Sequence, residues 1–168
     1  MDETIMTKRR FLAGAGGMLG ALGLGGLAGC ARDAEAAPGT FEVMRTPAEW
    51  RARLSPAQYA VLREASTERA RSSPLNGEKR RGTYRCAGCA LPVFQSQAKF
   101  ESGTGWPSFT APIANATRTR PDRGLLGTRT EVHCRRCGGH LGHVFDDGPP
   151  PTGQRWCMNG VAMEFLPS

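Results

Sequence analysis

Two cysteine pairs constrain this chain more than any other feature of its 168 residues. Cys86-Ala87-Gly88-Cys89 and Cys134-Arg135-Arg136-Cys137 share the C-x2-C spacing, with 44 residues between them. Brought together, two such turns place four thiolates around one tetrahedral ion, a donor set that suits Zn2+. Gly88 and Gly138 fit that use, because tight turns need residues free to take positive φ. Disulfides and a redox-active C-x2-C are the other uses of such pairs. Two matched turns in a β-rich chain fit neither as well. Four thiolates leave no open position for water or substrate, so a Zn2+ on Cys86, Cys89, Cys134 and Cys137 is expected to be structural.

The rest of the chain reads as one small antiparallel β domain with one or two N-terminal helices. Thr46-Pro47-Ala48-Glu49 is a helix start: a Thr cap, Pro in the first turn and Glu three residues after the cap. Ser55-Pro56-Ala57-Gln58 repeats the signature, and the second helix is expected to run to Glu64 or Thr67 with Tyr59 and Leu62 facing inward. From Thr83 onward short runs with β-branched or alternating apolar residues predict strands at Thr83–Arg85, Leu91–Phe94, Thr128–His133 and Val161–Phe165. Asp146-Asp147-Gly148-Pro149-Pro150-Pro151 must be a surface loop.

Residues 1–29 read as an export signal. Lys8-Arg9-Arg10 precedes 18 uncharged residues, Phe11 to Ala28, and small residues follow. Eight glycines between Gly14 and Gly29 make this stretch a poor membrane-spanning helix. Thr7-Lys8-Arg9-Arg10-Phe11-Leu12 resembles a twin-arginine (Tat) motif with Lys in the first cationic slot. Leu27-Ala28-Gly29-Cys30 resembles a bacterial lipobox, which would lipidate Cys30 and tether the mature chain to a membrane. Residues 30–45 read as a flexible tether and 46–168 as the folded domain. The expected location is the cell envelope or periplasm.

Charge narrows the partners. The formal net charge is +7, and nineteen of the 22 cations are Arg. They are scattered and not interleaved with aromatics, so a nucleic-acid platform is not expected. No run is long and apolar enough to suggest a multi-span membrane protein. A monomer is expected.

Once the four paired cysteines and Cys30 are set aside, Cys157 is left, in Arg155-Trp156-Cys157-Met158-Asn159-Gly160. A lone thiol is often a small buried hydrophobe. Here Arg155 stands two residues away, where a cation favours the attacking thiolate. His140 and His143 suit general acids, and metal ligation is their other use.

Taken together, Tyr84–Cys89, Lys99–Gly103, Gly105-Trp106-Pro107-Ser108-Phe109, Gly138–Phe145 and Arg155–Gly160 resemble, in order, the B-type methionine-R-sulfoxide reductases. The resemblance runs from about Thr46 to Phe165. It implies a fold of two antiparallel sheets with a structural zinc on the two C-x2-C turns. It implies that Cys157 attacks the sulfoxide sulfur, giving methionine and a sulfenic acid on Cys157. By the same resemblance His140 and His143 supply or relay the proton and hold the oxygen. Asn159 and Arg155 orient it and stabilise charge, and Trp106 packs the substrate methyl. Asp147 would orient a His or a water, or else serve only as a turn residue. The expected substrates are oxidised envelope proteins or peptides, and the expected reductant is a thioredoxin-like protein or another thiol.

One position departs from the pattern. Many members carry a resolving Cys where this chain has Thr104 in Ser102-Gly103-Thr104-Gly105-Trp106. Recycling is therefore expected to need an external thiol and no internal disulfide. A zinc-ribbon binding module would account for the cysteines and the charge but not for Cys157. A thiol-disulfide exchanger would need a reactive Cys86–Cys89 pair and no zinc.

Overall fold

The computed structural model describes residues 41–124 and 127–168. The expected export signal, the lipidation site Cys30 and most of the tether lie outside the described residues.

Among the described residues, two short helices come first. In α1 (Pro47–Arg53) the Thr46 side chain caps the Glu49 N–H and the Glu49 carboxylate returns to the Thr46 N–H at 2.7 Å. In α2 (Pro56–Glu64) Ser55 and Gln58 do the same. Each box satisfies backbone donors that a helix start leaves orphaned, about 1 kcal/mol per cap. Trp50, Val61 and Leu62 are the buried residues of these helices. Tyr59 is half-buried and packs against the core as expected, with the Arg51 guanidinium over its ring at 4.4 Å, while Val61 and Leu62 are buried.

Among the described residues, nine strands form two antiparallel sheets. The smaller has the order β2-β1-β9, from β1 (Gly82–Cys86), β2 (Pro92–Gln95) and β9 (Met163–Pro167). The larger has the order β3-β4-β8-β7-β6-β5. Its strands are β3 (Lys99–Phe100), β4 (Ser108–Phe109), β5 (Thr117–Gly124), β6 (Gly127–Cys134), β7 (His140–Phe145) and β8 (Arg155–Met158). The strand expected at Val161–Phe165 begins only at Met163; Gly160–Ala162 is a 3-10 turn. Asp146 to Pro151 is the surface loop that its prolines require.

The core holds Tyr84, Phe94, Phe109, Val132, Leu141 and Met158, all fully buried. Phe94 stacks on Phe109 at 4.3 Å between centroids, and Tyr84 meets Phe109 edge-on at 4.9 Å. These contacts pack the smaller sheet against β4, the neighbour of β8 in the larger one.

Candidate active site

Register puts the chemistry in one row. Residues directly opposite one another in antiparallel strands project from the same face of the sheet. Cys157 on β8 lies opposite Ser108 on β4 and opposite His143 on β7; His143 lies opposite Glu131 on β6, and Glu131 opposite Arg120 on β5. Gly142 makes the close approach possible. A Cβ there would run into the Cys157 carbonyl on the adjoining strand.

Cys157 is partly exposed at the floor of a cavity of about 120 Å³. Thr67, Trp106, Arg129, His143 and Asn159 also line it. A larger groove of about 710 Å³, bounded by α2, residues 66–75 and the start of β9, contains no Cys or His among its walls. The small cavity is therefore where the chemistry converges.

His140 and His143 are each anchored by a carboxylate. His143 Nε2 lies 2.8 Å from Asp122 Oδ2, which also accepts from Arg129 at 2.7 Å. Those two donors hold the Asp122 carboxyl below its ordinary value. His140 Nδ1 lies 2.9 Å from Glu131 Oε1, and Arg120 pairs with the same carboxylate. Burial pushes the Glu131 carboxyl up, but Arg120 and His140 outweigh it and leave it below the usual range. Burial lowers the His140 pKa despite Glu131, so this ring is neutral at neutral pH. The two rings stand 5.3 Å apart, with His143 on the cavity and His140 behind it. The His140 Nε2 atom is buried without a partner among the described residues.

The other expected residues divide. Trp106 forms a cavity wall, its indole N–H donating to the Glu68 carbonyl at 3.1 Å. Asn159 reaches the cavity, but its amide is already engaged: Oδ1 accepts the Glu68 N–H and Nδ2 donates to the Leu141 carbonyl. Arg155 lies over the Phe145 ring at 4.3 Å. Its charge is secured first by Asp147, with the nearby Cys157 sulfur contributing. Asp147 does not meet either histidine. Its carboxylate takes two hydrogen bonds from Arg155, at 2.8 and 2.9 Å, and Asp122 and Glu131 do the orienting that was expected of it.

The four paired cysteines converge away from this cavity. Cys86 ends β1 and Cys134 ends β6, so the cluster joins the two sheets. All four sulfurs lie within 4.8 Å of one another; Cys86 to Cys137 is 3.7 Å and Cys89 to Cys134 is 3.5 Å. Tetrahedral ligation with metal–sulfur bonds of about 2.3 Å puts sulfurs about 3.8 Å apart, so the donor set fits a metal ion. Without a cation the thiols oppose one another: hydrogen bonding within the cluster pushes Cys86 up and Cys89 down. A bound cation lets all four ionise. The turns differ from expectation in one respect. The left-handed residue follows the second Cys in each, Gly138 (φ 68°) and Ala90 (φ 57°), and Gly88 does not need positive φ.

Comparison with known proteins decides the family. Residues 54–167 match the SelR domain. The chain belongs to the B-type methionine sulfoxide reductase family. It is 52% identical over 129 residues to a peptide methionine sulfoxide reductase MsrB of Pseudomonas putida, covering 75% of this chain and 96% of that protein. It is 53% identical over 124 residues to the MsrB of Thiobacillus denitrificans, covering 73% and 94%. With the MsrB of Agrobacterium fabrum it shares 48% over 127 residues, covering 75% and 94%. As a member of this reductase family the chain is an oxidoreductase.

Sequence reasoning missed Thr67, Glu68, Asp122, Arg129 and Glu131. For Asp122 and Glu131 a signal existed in the hairpin: once β5, β6 and β7 are aligned, acids face the histidine strand. Finding it required the register, which residue types alone do not supply.

Proposed function

We propose that this reductase acts on the R epimer of methionine sulfoxide in proteins or peptides, using Cys157 as its nucleophile. One observation carries the reading: the Cys157 sulfur, the His143 imidazole and the Trp106 ring line the same small cavity. A sulfoxide carries an apolar methyl, an electrophilic sulfur and a basic oxygen. The cavity offers a complement to each.

Trp106 packs the methyl, giving apolar contact without asking for a hydrogen bond. The Cys157 sulfur attacks the sulfoxide sulfur. The oxygen leaves methionine for Cys157, so the substrate sulfur gains two electrons and the Cys157 sulfur loses two, ending as sulfenic acid. The oxygen is a poor leaving group until protonated, and His143, its Nε2 held by Asp122, supplies or relays that proton. His140, braced by Glu131, sits behind as a rigid backing. Arg155, its charge secured by Asp147, stands near Cys157. With the methyl on Trp106 and the oxygen toward His143, one epimer alone presents its sulfur to Cys157. Two external thiols then return Cys157 to the thiol, releasing water and their own disulfide.

Zn2+ is the metal we assign to Cys86, Cys89, Cys134 and Cys137, where it would tie the sheets together and take no part in the reaction. We further propose that the chain is exported and lipidated at Cys30, on the strength of the sequence signals alone. Its substrates would then be oxidised envelope proteins.

The test supplies dithiothreitol and the separate R and S epimers of a blocked methionine sulfoxide, with Cys157→Ser alongside. Turnover of R only, lowered about a thousandfold or more in Cys157→Ser, supports the reading. Turnover of S, or undiminished turnover in the variant, overturns it.

A further inference from the structure

We infer that Glu68 is a positioning residue that clamps the Trp106 wall to the turn following Cys157; the inference rests on the catalytic reading above. Glu68 lies in a segment, residues 65–73, without helix or strand. Three kinds of contact nevertheless converge on it. Its N–H donates to Asn159 Oδ1 at 2.9 Å. Its carbonyl accepts the Trp106 indole N–H at 3.1 Å. Its carboxylate accepts the Gly160 N–H at 2.7 Å on one oxygen and the Val161 N–H at 2.9 Å on the other.

Each contact answers a physical need. The 3-10 turn Gly160–Ala162 begins with backbone donors that have no partner inside the turn. Asn159, at the capping position, makes no side-chain cap, because its amide is committed to Leu141 and to Glu68 itself. The Glu68 carboxylate caps the turn instead, from 92 positions away, with charge-assisted bonds. A backbone bond from the Met158 N–H to the Pro107 carbonyl at 2.9 Å already fixes the two chain paths. It leaves the indole free to rotate about its side-chain bonds. The Glu68 carbonyl removes that freedom. One residue therefore sets the ring that packs the substrate methyl and the backbone that carries the nucleophile, so that both move together or not at all.

The carboxylate can be removed while the backbone contacts remain available. In Glu68→Ala, kcat/KM for a methionine sulfoxide peptide is expected to fall about ten- to a hundredfold, mostly through KM, as expected for a wall displaced by about an ångström. Alkylation of Cys157 by iodoacetamide, which does not use the Trp106 wall, is expected to change far less. The indole N–H resonance of Trp106, identified by its absence in Trp106→Phe, is expected to shift and to exchange faster with solvent. Unchanged kcat/KM, an unmoved indole resonance, or a loss of turnover matched by an equal loss of alkylation overturns the inference. If Glu68→Ala does not fold, Glu68→Gln carries the test. It keeps the size and one acceptor oxygen, so the same changes are expected at smaller amplitude, and their absence overturns the inference. Should the parent enzyme turn over no methionine sulfoxide, the catalytic reading fails, and the indole resonance still tests the clamp separately.

Discussion

The Thr104 hydroxyl oxygen lies 3.8 Å from the Cys157 sulfur. It is the end of a chain of hydroxyls: Thr104 to Ser102 at 2.8 Å, Ser102 to the buried Ser108 at 2.7 Å, and Ser108 donating to the Trp106 carbonyl at 3.2 Å. Position 104 thus faces the nucleophile at a distance from which a second sulfur could reach it, and Thr cannot form that bond. Enzyme oxidised with substrate in the absence of a thiol is expected to carry one added oxygen on Cys157 and no disulfide to it. Thr104→Cys is expected to lose two hydrogens instead, as the introduced thiol bridges to Cys157. Intact-mass and peptide analysis reads both. A Cys157 disulfide within the wild-type chain would sink the idea that recycling is external.

Asp122 is the next test, because it touches the cavity histidine without lining the cavity itself. Asp122→Asn keeps the size but leaves a neutral partner for His143 Nε2 and frees Arg129. The expected result is a fall in kcat of about ten- to a hundredfold with a smaller change in KM, since proton supply and not methyl packing is disturbed. The pH–rate profile should change shape as well. A variant with normal kcat and an unaltered profile would remove Asp122 from the proton path.

The thiolate cluster leads to a prediction about stability. A structural ion held by four thiolates contributes folding free energy directly, so its removal and the fold are linked. One zinc per chain is expected by metal analysis. Prolonged chelation, or Cys134→Ser, should lower the Tm and loosen the junction of β1 with β6, while Cys157→Ser leaves zinc content and Tm close to wild type. If chelated protein melted as the untreated one does, the cluster would have no structural role.

How far the sequence foretold this molecule depends on the range of the interaction. Local rules were sufficient at Thr46 and Ser55, where the capping boxes formed as the residues required. They were sufficient also for the paired cysteines, because motif spacing records a ligand set directly. They failed at β7 and β8. His140–Phe145 and Arg155–Met158 carry too few alternating residues to stand out as strands, and they become strands because each is paired on both edges within the larger sheet. Asp147 shows the same limit at the site. Its position beside the motifs suggested a catalytic partner, yet Arg155 holds it on the surface, with its side chain 65% exposed. The residues that do hold the histidines sit on β5 and β6, nine positions from His140 and 21 from His143, and only the strand pairing brings them there.

The buried His140 also predicts how stability depends on pH. His140 titrates below its ordinary value of 6.5 because burial disfavours its charged form. In the interval between that lowered value and 6.5 the unfolded chain binds more protons than the folded one, so stability rises with pH there and is lost as pH falls. Glu131 and Asp122 act in the same direction at lower pH. Their carboxyls lie below their ordinary 4.5 and 3.8, so what they contribute is present above those values and lost on acidification below them. Thermal melts with zinc content checked at each pH should therefore show Tm declining first below about pH 6.5 and then more steeply below about pH 4.5. His140→Asn should flatten part of that upper decline, the rest belonging to His133, which burial also lowers, and leave the lower part in place. A Tm that holds level from neutrality to about pH 5, or a His140→Asn profile parallel to wild type, would show that the buried imidazole is not what the acid limb reports.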